Sequence, residues 1–154
     1  MKQQEGLLGE TEKLYRKGLN AIKNGNTLEA LASFEKAFKL EPEKPRILSF
    51  LGLCIAYERG VVKEAISLCE KALQTEPQAV EHYLNLGKVY LKAGIKVKAI
   101  EILREGLKID NKNPEIIAEL QALGLRKKPV IPSLSRDNFI NKYLGIILSK
   151  LGLR

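Results

Sequence analysis

The chain repeats itself, and no other property narrows its possible folds as much. Three segments align: "LYRKGLNAIKNGNTLEALASFEKAFKLEP", "LSFLGLCIAYERGVVKEAISLCEKALQTEP" and "YLNLGKVYLKAGIKVKAIEILREGLKIDN". Gly18, Gly52 and Gly87 are 34 and 35 residues apart, while Ala30, Ala65 and Ala99 are 35 and 34 apart, so one residue is inserted in the second unit. We read the insertion as lying in the turn around Gly60-Val61. Within each unit apolar residues recur at i, i+3, i+4 and i+7 over two stretches of ~14 residues. The stretches are parted by Asn24-Gly25, Arg59-Gly60 or Ala93-Gly94, so each unit reads as a pair of helices joined by a glycine turn. Pro42 and Pro77 cannot continue a helix and should end the second helix of their units. A unit this short cannot bury its apolar face alone, which makes neighbours and an end cap obligatory.

These residues resemble the tetratricopeptide repeat family from 11 to about 113. The family's unit carries a small residue, usually Gly, in its first helix, then Ala, a bulky residue, a second Ala and a Pro along and after its second. The first unit, 11–44, matches with Gly18, Ala30, Phe34, Ala37 and Pro42; the second, 45–79, with Gly52, Ala65, Cys69, Ala72 and Pro77; the third, 80–113, with Gly87, Ala99 and Leu103. Three positions depart. Lys17 stands where Leu is usual, Gly106 replaces the second Ala, and Asn111 replaces the Pro, with Pro114 three residues later. The resemblance implies an all-α fold, a right-handed superhelical solenoid of helix-turn-helix units. Residues 1–10 are a lead-in. "NPEIIAELQALG" supplies a capping helix over 114–123, with Asn113 as N-cap, Pro114 in the first helical position and Gly124 as the stop.

Charge is divided unevenly. The chain carries +8, but residues 1–123 hold 19 Lys plus Arg against 17 Asp plus Glu, whereas residues 124–154 hold seven against Asp137 alone. A basic balance points to nucleic acid or an anionic membrane, and here it sits in the tail. Residues 125–137 form a basic linker broken by Pro129 and Pro132, and residues 138–154 read as an extra, amphipathic C-terminal helix. Its stripe is Ile140, Leu144, Ile147 and Leu151, flanked by Tyr143 and Leu148. Each such side chain gains ~1.5–3 kcal/mol on full burial, so the helix is expected to dock. Four destinations are open: the free end of the solenoid; the concave groove of its own chain or of a second chain in a homodimer; a partner protein; and, as a minor mode, an anionic membrane surface. A linker of ~14 residues spans about 45 Å, enough to fold back. Nucleic acid is disfavoured, because no aromatic residue is interleaved with the tail's Arg and Lys outside its amphipathic helix.

Little in the sequence supports catalysis. His82 is the single histidine, with no nucleophile, phosphate loop or zinc-protease spacing around it, and is expected to be exposed or on a rim. Cys54 and Cys69 fall on apolar-periodic positions and read as reduced core thiols. No enzyme activity, metal or cofactor is expected. The start has neither the basic nor the long apolar region of a secretory signal, and no run approaches ~18 apolar residues, which makes a cytoplasmic protein the expectation.

The resemblance implies that function lies in a concave face built from the first helix of every unit, where the family binds extended peptides or helices. The residues mapping there are Glu12, Tyr15, Leu19, Ile22 and Lys23; Arg46, Ser49, Leu53, Ala56 and Tyr57; and Glu81, Leu84, Lys88, Leu91 and Lys92. The floor is apolar and the margins are charged. Some family members clamp a peptide's terminal carboxylate with Lys and Asn. Here Tyr15 and Leu19 stand where the first Lys and Asn would, and Phe50 where the next Asn would, so the clamp reads as absent although Asn85 occupies one such place. An apolar groove without a clamp suits an amphipathic helix. The expected function is a non-enzymatic protein-interaction module or scaffold with a protein or peptide partner. The alternative is that the tail carries the function, through an anionic surface, nucleic acid or self-association.

Overall fold

The computed structural model describes residues 2–124 and Leu144. Within residues 2–124 seven helices follow one another: α1 (Lys2–Lys23), α2 (Thr27–Leu40), α3 (Pro45–Glu58), α4 (Val62–Thr75), α5 (Val80–Lys92), α6 (Lys96–Ile109) and α7 (Pro114–Ala122). No strand occurs among the described residues. The chain divides into two compact units, 1–120 and 121–154, and the repeats belong to the first. Within it α1–α2, α3–α4 and α5–α6 are three antiparallel hairpins stacked in order as a solenoid, followed by α7. The first helix begins at Lys2, so residues 2–10 extend α1 rather than standing apart as a lead-in.

The repeated glycines are the points of closest approach within the hairpins. A Cβ on Gly18 would lie 2.6 Å from the Phe34 ring, on Gly52 2.7 Å from the Ala65 carbonyl oxygen, and on Gly87 2.5 Å from Leu103 Cδ2. Carbon atoms pack favourably only at about 3.5–4.0 Å, so the second helix of each hairpin occupies the space that any side chain would need. Phe34, Cys69 and Leu103 sit on those glycines and are fully buried, as are Ala30, Ala65 and Ala99. Gly106 follows the same logic. Its Cβ would meet Ile116 Cδ1 at 2.7 Å and Tyr83 Cβ at 2.9 Å, so this departure from the family pattern makes room for α7.

The turns repeat as well. After α1 and α5 the chain closes in a Schellman motif: Asn26 N–H to Ala21 C=O and Gly25 N–H to Ile22 C=O in the first, Ile95 N–H to Tyr90 C=O and Gly94 N–H to Leu91 C=O in the third. Gly25, Gly60 and Gly94 have φ of 74°, 67° and 75°, a region that only glycine enters without strain. The second hairpin corrects the sequence reading. Its turn has the same three-residue length as the others, and the extra residue lengthens α3 to 14 residues against 13 in α5. Between units, the N–H groups of Glu41, Glu76 and Asp110 bond the carbonyls of Ala37, Ala72 and Gly106 at 2.9, 2.9 and 3.1 Å.

The core runs from hairpin to hairpin. Tyr15, Phe34 and Phe50 form an aromatic cluster with centroids 5.5–5.9 Å apart, while Leu84, Leu103 and Ile116 join the third hairpin to α7. Asn113 Oδ1 accepts the Ile116 N–H at 3.0 Å and caps that last helix. Both cysteines are buried free thiols. His82 departs from expectation. It is fully buried, with Nε2 3.3 Å from Glu76 Oε2, because it sits in the first turn of α5, under the connection from α4. Of the tail stripe Leu144 alone is described, helical and half-buried; Ile140, Tyr143, Ile147, Leu148 and Leu151 lie outside the described residues.

Candidate partner-binding groove

The first helices of the units, α1, α3 and α5, together with α7, lie side by side and form one layer. Tyr15 of α1 meets Phe50 of α3 edge-on. Asn85 of α5 donates its amide to Ser49 Oγ of α3 at 3.0 Å, and Arg46 pairs with Glu81 at 3.6 Å. Lys88 reaches Glu115 and Glu119 of α7 at 3.3 and 3.9 Å. Sequence periodicity assigns these residues to one face, and these cross-helix contacts bring the faces together.

Within the layer the fifteen residues mapped from sequence separate into two depths. Ser49 and Ala56 are fully buried, and Tyr15, Leu53 and Leu84 are only 9%, 7% and 7% exposed. Tyr15 belongs to the aromatic cluster, and burial pushes its phenol up to about 12, Glu81 adding to the effect. Leu53 and Leu84 fill the space between units. The apolar surface still open lies toward the C-terminal ends of the helices: Leu19, Ile22 and Leu91, packed against the core yet partly exposed, and Tyr57, 42% exposed. Lys23 and Lys92 stand exposed beside them. The Lys92 ammonium lies 5.2 Å from the Tyr57 ring centroid, a cation–π contact across α3 and α5. Burial raises the Tyr57 phenol above its ordinary range, and the Glu119 carboxylate adds to the rise.

Lys23 and Lys92 make no ion pair among the described residues, whereas Glu12 is paired with Arg16 at 2.8 Å and Glu81 with Arg46. One end of the layer is therefore internally neutralised, and the other offers an apolar strip with free cations. Asn85 is 2% exposed and its amide is engaged by Ser49, so its side chain does not face a ligand. On the opposite layer, a cavity of about 280 Å³ opens between α2, α3 and α4 over Phe38, Leu51 and Ile55, rimmed by the Glu35–Arg59 ion pair at 2.5 Å. Sequence periodicity gives no sign of it, since its lining comes from three helices in two units. Among the described residues no helix is long and apolar enough to cross a membrane, and no cluster of His, Cys, Asp and Glu could hold a metal ion.

Models of the tetratricopeptide repeat match residues 15–79 and 56–123. U-box domain-containing protein 70 of Oryza sativa subsp. japonica is 28% identical over 129 residues, covering 84% of this chain and 16% of that protein. TPR repeat-containing protein YsoA of Bacillus subtilis (strain 168) is 28% identical over 138 residues, covering 86% of this chain and 40% of the relative. The chain thus spans less than half the length of these relatives. Among solved structures, the first tetratricopeptide domain of Spaghetti (RPAP3), bound to the HSP90 peptide SRMEEVD, is similar with a TM-score of 0.61 at 19% identity, covering 75% of this chain and 94% of that one. At that identity the likeness is one of fold.

Proposed function

The chain belongs to the tetratricopeptide repeat family, and from that premise we propose that it is a non-enzymatic interaction module that holds an amphipathic peptide or helix against its layer of first helices, in a cytoplasmic setting. The observation that carries this reading is the open strip of Leu19, Ile22, Tyr57 and Leu91 beside unpaired Lys23 and Lys92. A large aromatic ring left 42% exposed, with a lysine held over it, is the kind of anchor on which interfaces concentrate their energy. The fold likeness to a domain solved with a bound peptide supports the same assignment. The ligand this strip fits presents apolar side chains at i, i+3 and i+4, with carboxylates on the flank that meets Lys23 and Lys92.

The test uses peptides selected on the full chain from a displayed library of helical sequences, and then the double variant Tyr57→Ala/Lys92→Glu. Both side chains are exposed, so helical circular dichroism should stay near wild type. Affinity for the selected peptides should drop by at least about tenfold, the equivalent of ~1.4 kcal/mol. Leu84 would be a poor choice for such a test, because Leu84→Glu would place a carboxylate in the seam between units. Selected peptides that bind the double variant as tightly as wild type would move the site elsewhere.

A further inference from the structure

The turns inside the three hairpins, 24–26, 59–61 and 93–95, lie along one edge of the stack, because every unit follows the same path. In the first turn Asn26 caps α2, its side chain accepting the Glu29 N–H at 3.1 Å. The second and third turns lack this device. Their N-cap residues are Val61 and Ile95, which make no side-chain cap bond and are 43% and 38% exposed, while Val97, the second residue of α6, is 69% exposed. Branched aliphatic residues are among the poorest N-caps, and in water they forgo the gain from burial. These three side chains therefore serve neither the caps nor the core.

The surroundings of Ile95 and Val97 are cationic, whereas Val61 has Glu58 and Glu64 beside Arg59 and Lys63. Residues 92–98, "KAGIKVK", hold three lysines and no acid, and Lys63 follows the second turn. None of Lys63, Lys96 and Lys98 makes an ion pair among the described residues; Lys98 lies 5.7 Å from the Tyr90 ring centroid. We propose that this edge, centred on the third turn, is a second interaction surface that seats on an anionic phospholipid membrane. Val61, Ile95 and Val97 enter the headgroup–acyl boundary, and Lys63, Lys96 and Lys98 meet the phosphates. A membrane fits better than an acidic protein. The cavity beside α2, α3 and α4 touches the second turn through Arg59 and has no lining residue from the third, and 92–98 contains neither an aromatic residue nor an arginine, whereas protein interfaces enrich those types, deplete lysine and seat their anchors in pockets. The edge begins where the open strip of the groove ends, at Lys92, but Lys96, Val97 and Lys98, on which its test rests, are not groove residues, so the two readings can fail separately.

The chain contains no tryptophan, so Val97→Trp in the whole 154-residue chain reports on this turn alone. A second reporter, Gln74→Trp, sits on an exposed position at the far end of α4. The probe is a vesicle of phosphatidylserine and phosphatidylcholine, compared with phosphatidylcholine alone. On the anionic vesicles the indole of Val97→Trp should shift its emission to shorter wavelength and be quenched by brominated acyl chains, while that of Gln74→Trp should stay unchanged. Adding Lys96→Gln and Lys98→Gln should weaken the vesicle affinity read from that shift roughly fivefold per lysine. The seven cations of residues 124–154 can draw the protein to the vesicles without this edge, so cosedimentation with no change at the Val97→Trp indole overturns the proposal. An equal response from both reporters, or a shift that polyglutamate produces and vesicles do not, overturns it as well.

Discussion

At the scale of single residues, glycine and alanine hold the hairpins together by what they lack. Replacing a mid-helix glycine with alanine ordinarily stabilises a helix by up to ~1 kcal/mol, and at Gly9, where an added Cβ meets nothing within 4 Å, Gly9→Ala should do so. Gly52→Ala should do the opposite. Its new methyl would lie 2.7 Å from the Ala65 carbonyl oxygen and 2.8 Å from Cys69 Sγ. A backbone oxygen cannot rotate away, so overpacking of about 1–3 kcal/mol should outweigh the gain in propensity. Urea denaturation of the two variants reads the contrast directly. A stabilised Gly52→Ala would mean that the first and second helices of the middle unit can separate at little cost.

At the scale of elements, the hairpins were legible because helical periodicity, turn glycines and terminal prolines all point the same way. Two features were not. The insertion around Gly60-Val61 is absorbed by α3, since one more residue at a helix end costs less than re-forming a three-residue turn closed on a left-handed glycine. Depth within the groove was also hidden: periodicity puts Tyr15, Leu53, Leu84 and Tyr57 on the same face, yet three are 7–9% exposed and Tyr57 is 42% exposed. Periodicity carries no measure of how much of each side chain the neighbouring units cover. His82 was misread for a related reason, since the connection that covers it comes from the unit before. The caps give an element-scale prediction. Ile95→Asn should supply α6 with the bond that Asn26 gives α2, raising stability by about 1 kcal/mol. Thermal unfolding would show it as a higher Tm, and an unchanged Tm would mean that the third turn already satisfies its amides in another way.

At the scale of the whole molecule, stability passes from unit to unit through nearest-neighbour interfaces, and the titratable groups buried in those interfaces tie it to alkaline pH. Burial pushes the Cys54 and Cys69 thiols from 9.0 up to about 12, with Glu58 and Glu70 adding to the effect at each in turn. The Tyr15 and Tyr90 phenols rise from 10.0 to about 12, again chiefly through burial; Glu81 adds to it at Tyr15 and the Glu70 hydrogen bond at Tyr90. All four keep their protons longer in the folded chain than in the unfolded one. Over that interval the unfolded state binds fewer protons, so the stability they contribute is intact below pH 9 and declines as pH climbs toward about 12. Denaturation midpoints measured from pH 8 upward should hold level and then fall. The double variant Cys54→Ala/Cys69→Ala removes the two groups that begin to titrate at 9.0, leaving phenols that begin at 10.0. Its midpoint will start lower because small voids replace the sulfurs, but the onset of its decline should move up by about one pH unit. An onset that stays at the wild-type pH would mean that the thiols do not couple to unfolding.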